Sequence, residues 1–102
     1  MKTTMNVQEA VSILRSSTDL RRDFSVSSFR LFGSIVRGQL GPTSDIDILV
    51  EFEPNARIGL FEFARLQKQL SEALGRPVDL VTPDALHRSL RQQILSEAIY
   101  AA

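Results

Sequence analysis

The pattern of residues predicts an α/β (α+β) fold: a small mixed β-sheet flanked by helices in the order αβαβαβα. Three observations carry this. Residues 5–17 and 60–74 hold apolar side chains at helical spacing. Residues 26–32, 45–52 and 78–81 are short apolar runs closed off by turn-forming or charged residues, as strands are. Helices and strands alternate along 102 residues, a length that suits one domain with a modest core.

In the opening helix, Val7, Ala10, Val11 and Leu14 form one stripe, and Gln8, Glu9, Ser12 and Arg15 face water. Residues 20–25 carry Arg21, Arg22 and Asp23 and read as a charged connection. A strand over 26–32 contains Phe29, Leu31 and Phe32 and stops at Gly33. A short helix is expected over 34–39, ended by Gly41-Pro42. In the next strand, 45–52, alternation places Asp45, Asp47, Leu49 and Glu51 on one face and Ile46, Ile48, Val50 and Phe52 on the other.

After a turn at Pro54-Asn55, residues 60–74 form a helix on Phe63, Leu66, Leu70 and Ala73, with Gly75 at the C′ position and Pro77 preventing continuation. Residues 78–81 are apolar except for Asp79 and read as a strand. Thr82-Pro83-Asp84 supplies an N-cap, a proline at N1 and an early acid, so a last helix is expected to run to about Tyr100. Its stripe is Leu86, Leu90, Ile94 and Ala98; Leu95, Ile99 and Tyr100 extend the apolar surface enough to suggest a partner.

Composition narrows the function. The formal net charge is +0, so the basic field that phosphate-dominated nucleic-acid binding uses is missing, and no direct nucleic-acid partner is expected. The chain has no Cys, which excludes disulfides, thiolate zinc sites and a cysteine nucleophile. Without a signal-peptide run or a segment apolar enough to cross a bilayer, the expectation is a soluble cytoplasmic protein.

The chemistry concentrates in Gly33-Ser34, Arg37-Gly38, Ser44-Asp45-Ile46-Asp47 and Asp79. Two aspartates at i and i+2 on a strand point the same way and can share hard divalent cations through oxygen, Mg²⁺ being the usual choice beside a triphosphate. If strand 78–81 pairs beside strand 45–52, Asp79 turns to the same side and completes a three-acid site suited to two-metal phosphoryl chemistry. Gly33 lets backbone approach phosphate, Ser34 donates its N–H and hydroxyl, the following helix N-terminus favours an anion, and Arg37 adds charge.

Each piece alone has a plainer reading. An isolated Asp-x-Asp is usually a solvated strand edge, and Gly-Ser is usually a turn. An acid between Val78 and Leu80 is a costly structural choice, because burying an unpaired charge is unfavourable. The spacing of Gly33 and Gly38 is not a P-loop, since Gln39 stands where that motif needs Lys. His87, without a second ligand or a nucleophile nearby, reads as a surface residue of the last helix. Glu51, Glu53 and Glu62 read as solvated charges, Glu51 alone sharing the face of Asp47.

Together, Leu31-Phe32-Gly33-Ser34, Arg37-Gly38, Ser44-Asp45-Ile46-Asp47-Ile48-Leu49-Val50 and Val78-Asp79-Leu80-Val81 resemble the minimal nucleotidyltransferase (MNT) domains of the DNA polymerase β superfamily. The resemblance spans 31–81, and the flanking helices fit it. It implies one such domain over 1–102. It also implies that Asp45 and Asp47 bind two Mg²⁺ ions and that Asp79 binds the catalytic one and helps activate the acceptor hydroxyl. Gly33 and Ser34 would hold the triphosphate of ATP, with Arg37 and Ser44 beside them. Many members read Gly-Ser-Arg-Ala-Arg-Gly in the first motif; here Ile35 and Val36 fill the middle, so the first basic position is absent.

Small members of that family are often paired with a helical HEPN protein, a ribonuclease toxin. The MNT protein is then the antitoxin and transfers AMP from ATP to a tyrosine hydroxyl of the toxin. Two other functions remain open: an antitoxin that inhibits by binding alone, and the catalytic subunit of a two-chain enzyme that nucleotidylates a small molecule.

Overall fold

In the computed structural model, which describes residues 5–102, the chain runs α1 (Val7–Ser16), α2 (Thr18–Asp23), β1 (Val26–Phe32), β2 (Ile46–Phe52), α3 (Leu60–Leu74), β3 (Val78–Val81), α4 (Arg88–Glu97) and β4 (Ile99–Tyr100). Single 3₁₀ turns stand at Gly33–Ile35 and Pro83–Ala85. The sheet has four strands in the order β3-β2-β1-β4. β1 is antiparallel to both β2 and β4, whereas β2 and β3 are parallel, so the sheet is mixed as expected.

The core lies on one face of this sheet. Ile46, Ile48 and Val50 of β2 meet Phe29 and Leu31 of β1, Val78 and Leu80 of β3, and the stripes Ala10–Leu14 of α1 and Leu66–Leu70–Leu74 of α3. Burying such side chains contributes about 1.5–3 kcal/mol each and is what holds the strands in register. Local chemistry sets the ends of the helices. The Asn6 side chain accepts the Glu9 N–H at 2.9 Å, and Gly75 leaves α3 at φ 69°. Glu62, expected to be a solvated charge, instead accepts the Gly59 N–H at 3.1 Å and caps α3.

Four expectations are corrected. Residues 18–23 are the short helix α2, not a connection; it holds one apolar anchor, Leu20, too few for a period to show. The helix expected over 34–39 is a single 3₁₀ turn, because Gly38 at φ 70° turns the chain away after it. Asp45 lies one residue outside β2. The last helix starts later and stops earlier than expected: Leu86 and His87 are extended, His87 is the N-cap of α4, and Ala98 is extended again.

The residues after Ala98 then form β4, pairing Ile99 with Leu31 and Tyr100 with Arg30. Phe29 donates to the Ala102 carbonyl at 2.8 Å and accepts from Ala101 at 2.9 Å. Both alanines are buried in the core, so this segment is bolted to β1 through backbone bonds and packing alike.

Candidate active site

The parallel pairing of β2 with β3 sets Asp47 directly opposite Asp79, and the antiparallel pairing with β1 sets Phe32 opposite Asp47 on its other side. Directly opposed residues point to the same face. Asp47 therefore stands between the end of β1 and the acid of β3, on the face away from the core.

Gly33, next after Phe32, turns across this position at φ 76°. A Cβ there would stand 2.1 Å from an Asp47 carboxylate oxygen. Only glycine allows both the backbone conformation and the contact. The turn holds itself with Val36 and Arg37 N–H groups on the Gly33 carbonyl and the Gln39 N–H on the Ser34 carbonyl at 2.8 Å. It is one 3₁₀ turn, so the field of a full helix end is absent and any grip on an anion rests on individual N–H groups, the Ser34 hydroxyl and Arg37.

The Asp47 carboxyl is pushed up from its ordinary 3.8 to about 6. Burial is the largest cause; the negative charges of Asp79 and Asp45 follow, Arg37 opposes them, and a hydrogen bond to Asp79 raises it further. Like charges held this close favour either a shared proton or a shared cation. Oxygen donors of three aspartates suit a hard divalent ion, and the missing side chain at Gly33 lets the Asp47 carboxylate stand against the turn, so the chemistry of the donor set fits Mg²⁺. Among the described residues no three acidic, His or Cys side chains form a ready-made cage: Asp47 and Asp79 are joined, and Asp45 stands in the loop ahead of them.

The remaining candidates divide. Arg37 is exposed, close enough to act on Asp47, and 3.7 Å from Glu97 of α4. Ser44 closes its own loop, accepting the Gly41 N–H on its hydroxyl at 3.1 Å. Glu51, expected to be a solvated charge, is paired with Arg30, which Ser28 also contacts at 3.0 Å and whose guanidinium lies 5.7 Å from the Tyr100 ring centre. His87 accepts the Ser89 N–H and so serves the start of α4. Sequence reasoning misses Glu97 and Arg76, whose guanidinium reaches the loop before Asp45; neither carries a local motif.

Residues 13–101 match the family model described as a nucleotidyltransferase domain. The chain is 37% identical over 97 residues to protein adenylyltransferase MntA of Thermococcus cleftensis, covering 94% of this chain and 96% of that one. A solved structure of a candidate minimal nucleotidyltransferase is similar at TM-score 0.78 and 34% identity, covering 96% of this chain and 98% of that one. A toxin–antitoxin structure with AMP-PNP holds a chain similar at TM-score 0.69 and 28% identity, covering 86% of this chain and 71% of that one.

Proposed function

The chain belongs to the nucleotidyltransferase domain family, and from that premise we propose that it is a Mg²⁺-dependent protein adenylyltransferase acting as the antitoxin of a HEPN-type toxin. The observation that carries the reading is the opposition of Asp47 and Asp79 on parallel strands with Gly33 closed over Asp47. It is supported by the adenylyltransferase relative and by the AMP-PNP-containing toxin–antitoxin neighbour.

In this reading a hydroxyl oxygen of the toxin, a tyrosine by resemblance, attacks the α-phosphorus of ATP. The bond from that phosphorus to the bridging oxygen breaks, and pyrophosphate leaves. Bound to Asp45, Asp47 and Asp79, two Mg²⁺ ions supply charge neutralisation at the triphosphate and acidity at the attacking hydroxyl. Asp79, the exposed member of the opposed pair, faces the acceptor and draws its proton away. Gly33 and Ser34 present N–H and hydroxyl donors to the triphosphate. Arg37 contributes charge, and the Ser44 hydroxyl, which only accepts within its loop, keeps its proton to donate.

The acceptor side belongs to the partner. Leu90 and Leu95 of α4 and Tyr100 of β4 are exposed apolar or aromatic surface, whereas Ile94 is half-buried. Among the described residues no helix is long and apolar enough to cross a membrane.

The test is mass spectrometry of the toxin co-expressed with this chain. Gain of AMP units that disappears with Asp47→Ala supports the reading, and an unmodified toxin in the presence of ATP and Mg²⁺ refutes it. If the toxin is neutralised equally by the Asp45→Ala/Asp47→Ala protein, inhibition is by binding. The structure favours Leu90 and Leu95 for the surface changes that would then abolish it.

A further inference from the structure

Asp45 precedes the first residue of β2, so the ladder that fixes Asp47 and Asp79 does not fix it. Its position depends on the loop before it. Within that loop the Ser44 N–H reaches the Gly41 carbonyl at 3.2 Å and the Ser44 hydroxyl accepts from Gly41 at 3.1 Å. These bonds shape the loop but tie it to nothing else.

The external tie is Arg76. Its Nη2 donates to the carbonyl of Gly41 and to that of Ser44, the latter at 2.9 Å. Arg76 itself stands on firm ground: it follows the left-handed Gly75, and its N–H bonds to the Ser71 carbonyl at 3.2 Å. Two residues on, the Val78 N–H bonds to the Ser71 hydroxyl at 3.1 Å. Between them, the Pro77 carbonyl accepts the Ile46 N–H at 2.9 Å, one residue beyond Asp45. The loop is thus held on one side by the strand and on the other by a guanidinium anchored to the end of α3.

That anchoring costs stability in one respect. The Nε of Arg76 is buried without a hydrogen-bond partner, and an unpaired buried donor is destabilising. The arrangement makes sense where the loop has to be held in one place: Asp45 follows Ser44 directly and lies outside the β2–β3 ladder, so where its carboxylate stands is set by where the loop is tied.

We propose that Arg76 is a positioning residue of the active site, which through the carbonyls of Gly41 and Ser44 holds the loop that presents Asp45 to the Asp47–Asp79 pair. The proposal rests on the reading of these acids as metal ligands given under the proposed function. Arg76 does not touch nucleotide or acceptor; it sets the spacing of the three carboxylates before any cation arrives. Groups that orient a metal ligand in this way typically change affinity or activity roughly 10–100-fold when removed.

The experiment compares the wild-type chain with Arg76→Gln, Arg76→Lys, Asp45→Ala and the Arg76→Gln/Asp45→Ala double variant. It measures Mn²⁺ affinity of the nucleotide-free protein, amide hydrogen exchange over residues 41–46 without metal, thermal melting, and AMP transfer. Arg76→Gln is expected to speed exchange in the loop and weaken Mn²⁺ binding roughly 10–100-fold. Its transfer loss should appear mainly as a higher metal requirement, and Arg76→Lys, able to reach one carbonyl, should fall between.

In the Asp45→Ala background Arg76→Gln should add almost nothing, because both changes act on one ligand. Full additivity there, or wild-type Mn²⁺ affinity in a folded Arg76→Gln protein, overturns the proposal and leaves Arg76 a structural tie. Should Arg76→Gln fail to fold, Arg76→Lys and its double variant with Asp45→Ala decide by the same two criteria. Mn²⁺ binding without transfer in the wild type refutes the adenylyltransferase reading while the binding and exchange measurements still judge Arg76; no Mn²⁺ binding at all overturns both.

Discussion

On one face of β2, Ile46, Ile48 and Val50 are wholly buried in the main core, while on the other the same strand presents Asp47, half-buried and raised in pKa, and the Arg30-paired Glu51. Leu49 lies between those two acids, equally buried yet outside the core cluster. One backbone serves both faces, so the contrast is in the side chains alone: the core face gains free energy by leaving water, and the site face gives some up by crowding carboxylates. Changes on the two faces should therefore separate activity from stability.

The largest effect tests this directly. Asp47→Ala should lower AMP transfer on the order of 10³-fold or more, as loss of one member of a group that acts as a unit does. Its melting temperature should hold or rise, since a repelling charge is gone. Ile48→Ala on the opposite face should do the reverse, costing about 2–5 kcal/mol in denaturant unfolding with transfer per folded molecule retained. If both variants lost stability equally, the division of labour between the faces would be wrong.

A second pair sharpens the site side. Gly33 and Gly38 both have positive φ, at 76° and 70°, but a Cβ at Gly33 would strike Asp47 whereas one at Gly38 meets nothing within 4 Å. Gly38→Ala should show only conformational strain of about 1 kcal/mol, with transfer nearly intact. Gly33→Ala should add displacement of Asp47 to the same strain, visible as a transfer loss far larger than its loss of stability. Equal transfer losses would mean that contact with Asp47 is unimportant.

How far these regions are legible in the sequence differs for a physical reason. The bounds of α3 and β3 can be read because their determinants are local: Leu66 and Leu70, Gly75, Pro77, and the run Val78–Val81; only the end of the α3 stripe differs, with Leu74 buried and the expected Ala73 exposed. The opposition of Asp47 and Asp79 follows once those strands are paired. The C-terminal part is hard to read because Ile99 and Tyr100 are too few to show a period, and their pairing is with β1, far away in sequence. No glycine or proline marks Ala98, where α4 gives way to the strand. The clamp from Arg76 to Gly41 and Ser44 is likewise a tertiary contact without a motif, and the 3₁₀ turn after Gly33 differs from a helix only by where Gly38 bends the chain.

A smaller effect follows from the Asp47 carboxyl itself in the metal-free chain. Its folded value, about 6, lies above the ordinary 3.8. Between those values the folded chain keeps a proton that the unfolded chain has released, so this group's contribution to stability falls as pH rises from about 4 to about 6. Melting temperature measured across that window should fall more in the wild type than in Asp47→Asn. By carboxyl-carbon NMR, Asp79→Asn should bring the Asp47 titration down without returning it to 3.8, because burial, the largest cause, remains. An unchanged midpoint in Asp79→Asn would show that the two carboxylates do not sense each other.

The smallest effect concerns the ion pair that links the C-terminal region to the site, Arg37 with Glu97 at 3.7 Å. Both side chains are substantially exposed, so the pair contributes about 0–1 kcal/mol and Glu97→Gln should leave melting nearly unchanged. Its influence should appear in nucleotide binding instead. If Arg37 holds phosphate as proposed, Glu97 competes for it, and removing the Glu97 charge should tighten AMP-PNP binding modestly at low salt, an advantage that shrinks as salt screens the field. Arg37→Ala should weaken binding and erase the difference that Glu97→Gln makes when Arg37 is present. A weaker grip in Glu97→Gln would give the pair the opposite meaning: α4 would then be aiming Arg37 at the phosphates, and the region hardest to read in the sequence would be part of the site.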